Sequence, residues 1–177
     1  RTLVVTDGSW QVAQSGRTTF GNWHPYKMGG EIVDAQTTPC DLTPQTLKQI
    51  DWQPALVAEI APHKATPQMC ELNMKQNEFH PISVRKTADS AFIYDMGTNF
   101  VGFTKVVMPT VDKGKQIELH YDDFFIKENE DLREGRYTDF YIGNGKKGIP
   151  FTSKFNYKGY RFLKIKGLAH ALPLKDI

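Results

Sequence analysis

The chain lacks the marks of several protein classes, and each absence narrows the field. No stretch of about 18 consecutive apolar residues occurs, so no helix long enough to cross a bilayer is expected. The amino-terminal RTLVVTDGSW has no apolar centre of the kind a signal peptide carries. An excess of one charge is also missing: 22 Lys and Arg face 20 Asp and Glu, which gives no electrostatic preference for nucleic acid or an anionic membrane, and neither is expected as a partner. Cysteine is scarce. Cys40 and Cys70 are too few for a disulfide framework and are expected as reduced or buried thiols. The five histidines show no H-x-x-x-H pattern and no C-x-x-C occurs, so zinc is not indicated. There is no phosphate-cradling glycine loop and no G-x-S-x-G elbow.

Helical periodicity over ten or more residues is nearly absent as well, whereas short β-type runs separated by turn residues are frequent. All-β is the class this predicts. Strands are expected at Thr2 to Thr6, Phe92 to Asp95, Phe100 to Met108, Gln116 to Phe125, Tyr137 to Ile142 and Arg161 to Lys166. In the fourth of these, Ile117, Leu119 and Tyr121 alternate with Gln116, Glu118 and His120, as a half-buried strand requires. One helical turn is expected at Leu47 to Ile50, behind the Thr43-Pro44 start signal. Residues 62 to 78, rich in breakers, read as a connector, and a domain boundary is placed near Asn77. The segment from Lys127 to Arg136 carries seven charges in ten residues and reads as a solvated loop. A chain of 177 residues can bury a substantial core.

Several motifs, taken in order, resemble those of bacterial α-L-rhamnosidases. TDGSW at Thr6 to Trp10 and GEIVDAQ at Gly30 to Gln36 are similar to a TD-x-SW strand that leads to a GE-x-YDAR segment. Trp52 to Ala55 and Pro62 resemble the link into the next module. DMGTNFVGF at Asp95 to Phe103 is similar to a DFGQN-x-VGW element, and TDFYI at Thr138 to Ile142 to a TD-x-Y strand. FTSKFNYKGYRFLKIKG at Phe151 to Gly167 resembles the F-x-x-x-F-x-Y-x-GFRY pair that closes the module. Val33, Gln36 and Thr98 depart from the pattern, which bears on sugar identity more than on fold.

The resemblance implies an antiparallel β-sandwich of jelly-roll or galactose-binding-like type, with residues 1–77 closing an upstream sandwich and 78–177 forming a complete second, concanavalin-like one. It further implies an (α/α)6 catalytic barrel as partner, following in the parent chain, and a periplasmic or secreted setting. The chain starts inside what reads as a strand, as a piece of a longer protein would. It leaves no room for the barrel, so no catalytic residue is expected within it.

Inverting glycoside hydrolysis needs two carboxyl groups about 6.5–9.5 Å apart. Asp122 and Asp123 are adjacent in a strand, point to opposite faces, and are expected as solvent-facing polar residues. Glu31 and Asp34, three apart, are the candidate oxygen ligands for Ca²⁺ and for a rhamnose-containing glycan; the bland alternative has them bonding local backbone, with Glu31 capping the Gly29-Gly30 turn. Trp23, in a polar segment, and Trp52 are candidate sugar platforms, while Trp10 is expected in the core. Asp95, Gly97 and Asn99 read as a tight turn and Gly102 as a bulge or a close backbone approach. Lys158, Arg161, Lys164 and Lys166 read as a solvated basic face. The expectation is therefore an accessory sandwich supporting a glycosidase barrel. Two alternatives are an autonomous calcium-dependent L-rhamnose-binding module and a non-enzymatic surface interaction domain.

Overall fold

Alternating burial shapes the longer strands of this chain. Along Gln116–Asp122 the side chains of Ile117, Leu119 and Tyr121 are buried, whereas Glu118 and His120 on the other face are only partly covered. A computed structural model describes residues 6–21, 29–37, 44–58, 66–72, 74–126, 131–133, 137–146 and 150–177. The strands are β1 (Gln11–Val12), β2 (Arg17–Phe20), β3 (Gly30–Asp34), β4 (Gln53–Pro54) and β5 (Ser83–Lys86). They continue with β6 (Phe92–Gly102), β7 (Lys105–Val107), β8 (Gln116–Asp122), β9 (Phe125–Ile126) and β10 (Asp131–Leu132). The last are β11 (Tyr137–Ile142), β12 (Pro150–Thr152) and β13 (Lys158–Lys166). Among the described residues helix is confined to one turn, α1 (Pro44–Leu47), and a 3-10 turn at Leu174–Asp176. The all-β class is thus realised. Of the strand expected at Thr2 to Thr6, all but Thr6 lies outside the described residues, as do Thr43 and Cys40; Cys70 is exposed rather than buried.

The chain forms two compact units, one of residues 1–14 and 43–78, the other of residues 15–42 and 79–177. Residues 15–42, upstream of the boundary expected near Asn77, therefore fold with those downstream of it. In the first unit β1 pairs antiparallel with β4, and no described residue is buried. Trp10, expected in the core, is 46% exposed, because a two-stranded ribbon has no second layer to cover its faces.

The second unit contains a seven-stranded sheet in the order β2-β3-β11-β8-β13-β6-β5, and a separate pair β12-β7. Every neighbouring pair is antiparallel except β3 and β11, which run parallel. These two strands are far apart in sequence, so no hairpin forces them antiparallel. One face of the sheet, carrying Phe92, Tyr94, Leu119, Tyr121, Tyr141, Leu163 and Ile165, shares a core with Val106, Met108 and Phe151 of the β7/β12 layer and with Leu168, Leu172 and Ile177. Two layers closed on one core make a β-sandwich. Each such side chain contributes about 1.5–3 kcal/mol by burial.

The DMGTN segment interrupts this regularity. Tyr160 faces Phe100 and Phe162 faces Asp95, so two steps along β13 match five along β6. The excess is taken up by an arch at Met96 to Asn99, in which Gly97 has φ +79°. The bulge is centred there rather than at Gly102. The charged stretch after Lys127 is not simply a solvated loop either: its described residues include β10, paired with β9, and the buried Leu132.

Candidate functional site

Strand register decides which face each acidic residue takes. Val33 lies beside Tyr141 in the parallel β3/β11 pair, so Glu31 and Val33 share the core face with Asp139 and Tyr141, and Ile32 and Asp34 take the other. Glu31 is completely buried. Its carboxylate accepts hydrogen bonds from the successive backbone N–H groups of Lys154, Phe155 and Asn156, at 2.9, 2.9 and 3.0 Å, and from Arg17 Nη1 at 2.6 Å. Successive N–H groups turned to one point form an anion nest. Burial alone pushes the Glu31 carboxyl up, but the nest and the guanidinium outweigh it and hold the group below the usual carboxylate range.

Asp139 continues the network. Its Oδ1 accepts the Glu31 backbone N–H at 2.8 Å, and its Oδ2 accepts both the Tyr121 hydroxyl and Lys158 Nζ at 2.8 Å. Lys158 and Asp139 are 1% and 0% exposed, so this ion pair is wholly desolvated. The ammonium also stands 4.8 Å from the centre of the Tyr121 ring, which meets Tyr160 edge-on at 5.0 Å. Burial first, then the Asp139 charge, raises the Tyr121 phenol well above its ordinary value. Asn156 Nδ2 donates to Gly29 O at 2.7 Å. Gly30 is required by contact: a Cβ there would lie 1.8 Å from Thr138 O. The GE, TD and F-x-Y-x-G motifs thus meet in space as one buried polar cluster.

Asp95 and Asp122 are also paired. Arg161 grips Asp95 with Nε and Nη2 at 2.8 and 2.9 Å, and Asp95 Oδ1 accepts the Gly97 N–H at 2.7 Å, closing the arch in β6. Asp122, expected on the surface, is buried; it accepts the Phe124 N–H and, together with Asp123, binds Arg133 Nη2. Both reach one guanidinium because β8 ends at Asp122 and strand alternation ends with it. The basic residues near the carboxyl-terminal end are not a solvated face. Lys158 and Lys164 are buried, Lys164 binds Asp131 and Asp89, and Lys166 lies 3.4 Å from Asp89.

Of the candidate ligands, Glu31 reaches across to the 154–156 bend and does not cap the Gly29-Gly30 turn. Asp34 Oδ1 accepts the N–H of Gln36 at 2.9 Å, the local role weighed against it. The two sit on opposite faces of β3, so the structure does not bring them together and they do not fit a shared Ca²⁺ site. Among the described residues no group of three or more His, Cys, Asp or Glu is placed to hold a metal ion. Trp23 lies outside the described residues. Trp52, in the first unit, is 38% exposed and donates its indole N–H to Leu47 O at 2.9 Å, tying it to α1. Asp139, Lys158, Arg17 and Tyr121 were not foreseen as a cluster. One signal could have found two of them: Asp139 and Lys158 each stand two residues from a core tyrosine, so each is a charge on the apolar face of its strand.

Fold and site together define a β-sandwich module in which Glu31 and Asp139 are held in internal ion pairs. Residues 85–177 match the model of the bacterial alpha-L-rhamnosidase concanavalin-like domain, just over half of the chain. The chain belongs to that family. It is 26% identical over 183 residues to an alpha-L-rhamnosidase of Alteromonas sp. (strain LOR), covering 98% of this chain and 19% of that protein. It is 25% identical over 177 residues to one from Formosa agariphila, covering 93% of this chain and 18% of the relative. The chain therefore spans about a fifth of the length of these relatives. Solved alpha-L-rhamnosidases share the fold. That from Dictyoglomus thermophilum superposes with TM-score 0.73 at 22% identity, over 98% of this chain and 20% of that one. The Aspergillus terreus enzyme gives TM-score 0.65 at 17% identity, over 98% of this chain and 20% of that one.

Proposed function

We propose that this chain is an accessory β-sandwich region of an α-L-rhamnosidase-like glycoside hydrolase, supporting a separate (α/α)6 catalytic barrel and hydrolysing no glycoside by itself. One observation carries the reading: the buried acids Glu31, Asp122 and Asp139 are committed to the fold. Glu31 and Asp139 are fully buried with donors on their oxygens, and the carboxylates that converge elsewhere do so on a cation, Asp122 and Asp123 on Arg133 and Asp89 and Asp131 on Lys164. A glycosidase pair must flank the sugar, and one member must hold a proton at working pH. Glu31, held below the usual carboxylate range, keeps none. The chain's span of about a fifth of its rhamnosidase relatives supports the same reading.

Incubating the purified chain with p-nitrophenyl α-L-rhamnoside tests the catalytic half of the proposal. No p-nitrophenol above the blank is expected, and sustained release would overturn it. Calorimetric titration with L-rhamnose, with and without EDTA, tests the supporting role. No binding heat is expected in either condition; heat abolished by EDTA would make the chain a calcium-dependent rhamnose-binding module instead.

A further inference from the structure

Four large apolar side chains stand in the open at one end of β6 and β13: Val101 is 70% exposed, Phe103 51%, Phe155 69% and Tyr157 52%. Sheet register makes Val101, Phe103 and Tyr157 neighbours. Gly102 faces Lys158, which brings Phe103 against Tyr157, their rings edge-on at 6.2 Å. Val101 faces Gly159, and without a side chain there nothing on β13 covers it; a Cβ at Gly159 would just touch Val101 at 3.8 Å. Phe155 belongs to the bend whose N–H groups bind Glu31, so the buried carboxylate fixes the backbone from which this exposed ring projects. Exposed Lys105 and Lys154 adjoin the apolar residues in sequence.

We infer that this patch is a docking surface for the part of the longer glycosidase polypeptide outside this chain, received through an apolar surface with acidic residues at its edge. The inference rests on the proposed function. Contiguous exposed apolar groups of this kind mark interaction sites, and about four-fifths of the matched relatives' length lies outside the aligned region. Phenylalanine and valine with a lysine rim fit the apolar centre and polar margin of a protein interface.

Hydroxyl-radical footprinting of this chain alone and of the full-length polypeptide tests it. Phe103, Phe155 and Tyr157 should be heavily modified in the isolated chain and protected several-fold in the full-length protein; equal modification in both would overturn the inference. Light scattering after size exclusion should show a monomer. A dimer dispersed by Phe103→Ser with Tyr157→Ser would make a second copy the occupant and overturn it too, as would protection of these rings in the isolated chain by rhamnose oligosaccharides. Rhamnosidase activity is read on the same full-length sample. Activity with unprotected rings defeats only the docking surface, whereas protected rings without activity leave that surface standing and defeat the functional reading.

Discussion

Replacing Asp139 with leucine removes the acceptor shared by three buried donors, Lys158 Nζ, the Tyr121 hydroxyl and the Glu31 N–H. The ammonium dominates the cost. With Lys158 only 1% exposed, Asp139→Leu leaves a desolvated charge without its partner, a change that typically costs about 3–5 kcal/mol. Folding of a domain this size is worth about 5–15 kcal/mol in total, so the loss should lower Tm by roughly 6–20 °C. Lys158 keeps a weak acceptor, Asn156 O at 3.3 Å, and the Tyr121 ring face, which sets the expectation towards the lower end. Adding Lys158→Met removes the stranded charge and leaves only two neutral donors unpaired, at about 1–3 kcal/mol each. The double variant should therefore be more stable than Asp139→Leu alone, although it carries one more substitution. Urea unfolding followed by near-ultraviolet circular dichroism reads this unit directly, because Tyr94, Tyr121, Tyr141 and Tyr160 are all in its core. A loss below about 1 kcal/mol for Asp139→Leu, where about 3–5 is expected, or strictly additive effects in the double variant, would refute the reasoning.

Glu31→Gln should cost about 1.5–3 kcal/mol near neutral pH, the range for hydrogen bonds to a charged group, and should change the acid limb of the stability curve. The folded carboxyl is held below its ordinary value of 4.5, so its contribution is present above that pH and lost as pH falls through the folded value. Chemical denaturation across pH 7 to 3 should show the parent and variant curves converging at the acid end; parallel curves would refute the nest's role. Gly30→Ala should cost about 3 kcal/mol or more, since its Cβ would fall 1.8 Å from the Thr138 carbonyl oxygen, and the readout is loss of the cooperative thermal transition. Asp95→Asn should be mild, within about 1 kcal/mol in thermal unfolding, because Arg161 is 40% exposed and Asp95 22%.

The strands were legible where one face is buried and the other polar: Gln116–Asp122, Tyr137–Ile142 and the latter half of β13 follow from alternation and turn residues alone. The motifs also located part of what matters, since GE, TD and F-x-Y-x-G supply Glu31, Asp139 and Lys158 of the buried cluster, but not Arg17 or Tyr121. Their roles were misread because a charge beside another charge in sequence looks solvated until its partner is known. Lys158 lies 19 residues from Asp139, and Glu31 more than 120 from the bend that binds it. Trp10 differs in the opposite sense: it precedes β1 instead of lying within a strand, and an aromatic is core only if a second layer covers it.

The sequence by itself determined the all-β class, the family and the irregularity in β6, because these depend on local alternation, glycine placement and motif order. Only the tertiary structure decided that Glu31 and Asp34 part company, that Lys158 and Lys164 are internal, and that Val101, Phe103 and Tyr157 form one exposed apolar group. The physical reason is common to all three. A strand's side chains alternate by residue number, but what each one meets is fixed by the register of strands distant in sequence, and a single step in register exchanges core for solvent.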